Sequence, residues 1–108
     1  MALFTTTITE AEIYYGLAML PQGKRRRLLE SAVGPIFAQD LAGRVLPFDS
    51  PAAREFADIA ATRRRAGRPI SEADARIAAI VRSRGAALAT RNADDFSDCE
   101  LRVIDPWL

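Results

Sequence analysis

Three short acidic blocks hold most of the chemistry this chain can offer: Thr9-Glu10-Ala11-Glu12, Ser71-Glu72-Ala73-Asp74, and Thr90-Arg91-Asn92-Ala93-Asp94-Asp95. The 108 residues contain no histidine, which removes the commonest general base and the commonest zinc ligand. Carboxylates gathered on one edge of a fold would instead suit a hard divalent cation with oxygen ligands. Cys99 is the only cysteine and has no histidine to pair with. It falls in a polar segment and reads as incidental rather than nucleophilic.

The elements that must position these blocks follow from local pattern. Leu3–Ile8 is rich in β-branched and apolar residues and predicts a strand. A helix follows, with Thr9 as its N-cap and Ile13, Leu17 and Leu20 on one stripe. Pro21-Gln22-Gly23 ends it. Lys24 to about Gln39 predicts a second helix that Gly34-Pro35 should kink or interrupt, and Ala42-Gly43 closes the hairpin. Val45–Phe48 reads as a short strand, and Pro47 points to a sheet edge. Ser50-Pro51 announces a third helix, cap then proline, running to about Ala66 and stopping at Gly67. Ser71 caps a fourth, which Gly85 terminates. Ala86–Thr90 is wholly apolar up to its final threonine, the pattern of a buried parallel strand, and Arg102–Ile104 is a last short one.

Alternating strands and helices make the chain α/β with a mainly parallel sheet. Ligands in such sheets gather beyond the carboxyl ends of the strands, close to where the acidic blocks fall. Apolar residues at 49% and charged residues at 27% suit one globular domain, with no repeats and no linkers. No apolar run approaches a membrane span and no signal peptide is evident, so a reducing cytoplasm is the simplest compartment. The net charge of +1 argues against a global field for nucleic acid, although Lys24–Arg27 and Arg63-Arg64-Arg65 are concentrated basic runs. These runs read first as solvated helix faces, and alternatively as a rim that contacts phosphate.

Each acidic block has a plain structural explanation. Thr9-x-x-Glu12 is a capping box, Ser71-x-x-Asp74 repeats it, and acids in a first turn are favoured by the helix dipole. Yet Glu12 neighbours the Ile13 stripe and Asp74 precedes Ile77 by three residues. Both carboxylates are therefore expected near the buried side, where a cation or hydrogen-bond donors must keep them ionised. The third block leaves the carboxyl end of an expected central strand.

Together, Ile8–Gly16, Arg68–Ala79 and Leu88–Phe96 resemble, in order and spacing, the PIN-domain ribonucleases, in particular the toxin subunits of VapBC-type toxin–antitoxin pairs. The likeness extends over essentially the whole chain. It implies a PIN-like three-layer α/β fold over residues 1–108 that cuts RNA with Mg²⁺ or Mn²⁺. In that family's motifs Glu12, Asp74 and Asp95 match the catalytic, metal-binding acids, with Thr90 and Asn92 as polar supports, while Arg91 reads, like the basic runs, either as a solvated residue or as part of a rim that contacts RNA. Carboxylates bind the metal, and the metal generates hydroxide and stabilises charge on the phosphate. A cognate antitoxin is the implied partner. The family's sheet begins with a central strand ending in a Leu-Asp-Thr-Asn type motif, and this chain starts at what would be its second strand. That departure predicts impaired activity and unsatisfied ladder groups that seek a second copy, giving a homo-oligomer. The alternatives are a non-catalytic module that binds an antitoxin or another copy, and a plain nucleic-acid binder using the arginine runs.

Overall fold

The computed structural model describes residues 3–90 and 93–104. It clusters into two compact units, Met1–Pro47 and Phe48–Leu108.

In the first unit, strand β1 is only Thr5–Thr6, and it pairs in parallel with β2, Val45–Leu46. The predicted strand over Leu3–Ile8 is thus cut short, because helix α1 already begins at Thr7 and runs to Met19. The cap moves with it. Thr6, extended at φ −122°, accepts the Thr9 amide on its hydroxyl at 3.0 Å, so Thr6 rather than Thr9 is the N-cap. Every one of Thr5, Thr6, Thr7 and Thr9 can cap a helix. The ladder register Thr5↔Val45, Thr6↔Leu46 decides which one does.

Helix α2, Lys24–Pro35, passes directly into a π-helical turn, Ile36–Asp40. Pro35 has no N–H for the carbonyl one turn back, so the α ladder loses a bond there and the chain widens. The Leu41 amide then donates to the Ile36 carbonyl at 2.8 Å, five residues back. The expected interruption at Gly34-Pro35 takes this form. Gly43, at φ +73°, turns the chain towards β2, a left-handed conformation that glycine adopts at no steric cost.

In the second unit, α3 spans Ser50–Arg65 and α4 spans Glu72–Ser83. Asp49, not Ser50, caps α3, accepting the Ala52 amide at 3.1 Å, and Pro51 sits in the first turn as expected. Ser71 caps α4, accepting the Asp74 amide at 3.2 Å. The two helices pack through small residues, Ala52, Ala75, Ala78 and Ala79, around the fully buried Ile59 and Ile80. Strands β3, Ala87–Ala89, and β4, Arg102–Ile104, form a parallel ladder in the register Ala87↔Arg102, Leu88↔Val103. Residues 86–90 were expected to make a fully buried strand. Instead Leu88 is half-buried and Ala89 is exposed, because among the described residues the ladder consists of β3 and β4 rather than a covered centre. Among the described residues, no helix is long and apolar enough to cross a membrane.

Candidate functional site

Asp74 lies in the first turn of α4, half-buried, its own amide held by Ser71. A carboxylate there faces the unsatisfied amides of the helix start, which favour the anion. Asp94 and Asp95 sit on a 3₁₀ turn, Ala93–Phe96, that follows β3, and both are exposed. Phe96 anchors the turn in the core at 6% exposure. Thr90, half-buried, continues the β3 ladder by donating its amide to Ile104 at 2.9 Å. Arg91 and Asn92 lie outside the described residues.

Glu12 differs from expectation. With the cap at Thr6, it is the sixth residue of α1 rather than the closing acid of a capping box, and it is exposed. Ile13 is exposed as well, and Leu17 is the one residue of α1 in the core. The expected stripe is itself mostly open, with Leu17 alone buried, so its neighbour Glu12 is exposed too. Among the described residues, no group of three or more Asp, Glu or Cys side chains is arranged to hold a metal ion.

Two arginines hold the third acidic block. Arg63, assigned from the sequence to a solvated run or a phosphate rim, is buried at 5% exposure. Its Nε donates to the Arg68 carbonyl at 2.6 Å, and its Nη1 donates to the carbonyls of Asp95 at 2.7 Å and Ser97 at 3.0 Å. Nη1 also reaches Cys99 Sγ at 3.7 Å. Cys99 likewise departs from its reading as a polar-segment residue: it is 1% exposed and its thiol donates to the Ser97 carbonyl at 3.6 Å. Its polar neighbours in sequence face away, with Asp98 and Glu100 exposed.

A second arginine closes the same loop. Arg82 of α4 donates through Nη1 to the Cys99 carbonyl at 3.0 Å, through Nε to Glu55 at 2.6 Å and through Nη2 to Asp58 at 2.7 Å. Burial works against its charge, but the hydrogen bonds and charges of Asp58 and Glu55 prevail and hold its pKa above the ordinary arginine value. The loop needs such support. Asp98 at φ +60° and Glu100 at φ +54° are left-handed without being glycine, each at a cost of roughly 1 kcal/mol. The signal for both arginines was present in the sequence only as charge, since nothing local shows that a carbonyl-rich turn will fold over a helix end.

The PIN domain pattern matches residues 2–100. VapC ribonuclease Y4jK of Sinorhizobium fredii is 41% identical over 105 residues, covering 97% of this chain and 75% of the relative. Toxin FitB of Neisseria gonorrhoeae is 35% identical over 109 residues, covering 97% and 76%. The crystal structure of FitAcB from Neisseria gonorrhoeae superposes with a TM-score of 0.84 at 34% identity, covering 96% of this chain and 75% of that one.

Proposed function

This chain belongs to the PIN-domain family, and on that premise we propose that it is the toxin of a toxin–antitoxin pair, an endoribonuclease that uses Mg²⁺ or Mn²⁺. The observation that carries the reading is the match of nearly the whole chain, in sequence and in backbone, to proteins named as VapC ribonuclease and FitB toxin. Glu12, Asp74 and Asp95 are the acids proposed to serve catalysis and the metal. Thr90 and Asn92 support the loop, and Arg91 contacts RNA. A cognate antitoxin is the proposed protein partner, and one PIN-like domain over residues 1–108 the proposed unit of function.

Asp74 is the sharpest test. Its side chain is not the cap acceptor, a role held by Ser71, so Asp74→Ala leaves that cap bond in place. Single-stranded RNA incubated with the full chain and Mn²⁺ should be cut, and Asp74→Ala should lower the rate by about 10²-fold or more. Equal cleavage by both proteins would remove a catalytic role for that acid.

A second reading, a non-catalytic module that binds an antitoxin or a second copy, is favoured by the surface of α2. An open apolar patch there is formed by Leu28 and Leu29 beside Lys24 and Arg25, and Leu28 is 61% exposed. Exposed apolar residues rimmed by charge are a mark of protein contact. Calorimetry that finds antitoxin binding without any Mn²⁺ binding would favour this reading over the first.

A further inference from the structure

Arg63 is the least expected residue of the molecule. An arginine is charged at any working pH and is seldom buried without a carboxylate. Here the acceptors it meets among the described residues are all uncharged: the carbonyls of Arg68, Asp95 and Ser97, and the Cys99 thiol. No buried side-chain nitrogen or oxygen is left unsatisfied among the described residues. The planar guanidinium spans these acceptors from two nitrogens, Nε to Arg68 and Nη1 to the turn, whereas the three donors of a lysine all leave one atom and lack that fixed span.

The acceptors are not scattered. Residues 95, 97 and 99 are alternate positions of one loop, which begins with the 3₁₀ turn Ala93–Phe96. Arg63 therefore grips Asp95 by its backbone while the Asp95 side chain stays exposed. The fourth contact, to Arg68, ties the same guanidinium to the chain just beyond α3, so the turn is referenced to a rigid helix end rather than to another loop. With Asp98 and Glu100 both left-handed, the turn does not hold this shape on local preference alone.

We infer that Arg63 is a positioning residue that fixes the Asp94–Asp95 turn and thereby sets where the Asp95 carboxylate is presented. The catalytic half of this inference rests on the ribonuclease reading above. Its structural half does not.

Cys99 supplies the test, because it is the sole cysteine of the chain and lies under the same guanidinium. The full chain, Arg63→Lys, Arg63→Gln, Asp95→Ala and the double variant Arg63→Lys/Asp95→Ala are treated with iodoacetamide and assayed on single-stranded RNA with Mn²⁺. Releasing the turn should expose Cys99, so alkylation of Arg63→Lys should quicken at least about tenfold while far-UV circular dichroism is unchanged. Its kcat should fall about 10–100-fold with KM within about threefold, the mark of a displaced group rather than lost binding. Adding Arg63→Lys to Asp95→Ala should cost nothing further, because the arginine acts through that aspartate. Alkylation at the wild-type rate, or losses that add in the double variant, would overturn the inference. Wild type that cuts no RNA removes the ribonuclease reading instead, and the alkylation contrast alone then decides whether Arg63 holds the turn. If neither Arg63 variant folds, wild type in rising urea decides. A clamped turn labels Cys99 only in step with global unfolding, and labelling well ahead of it would overturn the clamp.

Discussion

Arg82 shows at the residue scale how a charge becomes structure. Its guanidinium ties Glu55 and Asp58 of α3 to its own helix and holds the Cys99 carbonyl as well. The carboxylates are partly exposed, at 37% and 59%, so solvent screens much of the attraction. Arg82→Met, which keeps the stem and removes the donors, should cost about 1–2 kcal/mol in urea unfolding. Because the folded pKa of Arg82 is raised, its contribution is fully present below the ordinary arginine value and fades only as pH climbs through the raised one. The wild-type minus variant difference should therefore be flat between about pH 6 and about pH 9. A difference that changes across that window would show that Arg82 is not the group responsible. The same residue illustrates what a sequence conceals. Arg63 and Arg82 were visible only as positive charges, and their roles depend on where the carbonyls of residues 95 to 99 fold in space. Glu12 loses its expected capping-box role because the helix starts three residues earlier, and it is exposed because the stripe beside it is largely uncovered.

Elements were more legible, and unevenly so. Ser71, Gly67 and Gly85 mark their helix ends correctly because capping and left-handed turns are decided within a few residues. The Thr5–Thr9 stretch was not decidable locally, since strand and cap preferences coincide there and pairing with Val45–Leu46 settles the matter. Ala86–Thr90 was read correctly as a parallel strand but not in its burial, which depends on how many neighbours the ladder has. The firmest element-scale feature is the α3–α4 pair. Alanines at 52, 75, 78 and 79 leave no room around Ile59 and Ile80, and none of them can grow to fill a gap. Ile59→Ala should accordingly lose about 3 kcal/mol, seen as a lower urea midpoint at unchanged slope. A loss under about 1 kcal/mol would mean that the helices collapse onto the space, contrary to a rigid small-residue seam.

For the whole molecule, the net charge of +1 hides how differently the individual cations are engaged. Arg26, Arg68, Arg76, Arg82 and Arg84 form ion pairs with carboxylates, and Arg63 is buried. The exposed members of the basic runs are Lys24, Arg25 and Arg27 in one unit and Arg64 and Arg65 in the other. Binding to single-stranded RNA releases counterions with a slope of roughly −0.7 per phosphate neutralised. One run alone should then give a slope of about −1.4 to −2.1 in log K against log salt, and both runs engaged on one strand about −3.5. Fluorescence anisotropy of a labelled oligonucleotide, titrated at several salt concentrations without metal, separates these cases. A slope of the smaller size would leave affinity to arise mainly from contacts at the acidic turn, as a hydrolase with a local site requires. A slope well beyond −3.5 would mean that cations outside the two runs, among them the exposed Arg44, Arg54 and Arg102, also neutralise phosphate, and would favour a phosphate-tracking binder over a metal-dependent ribonuclease.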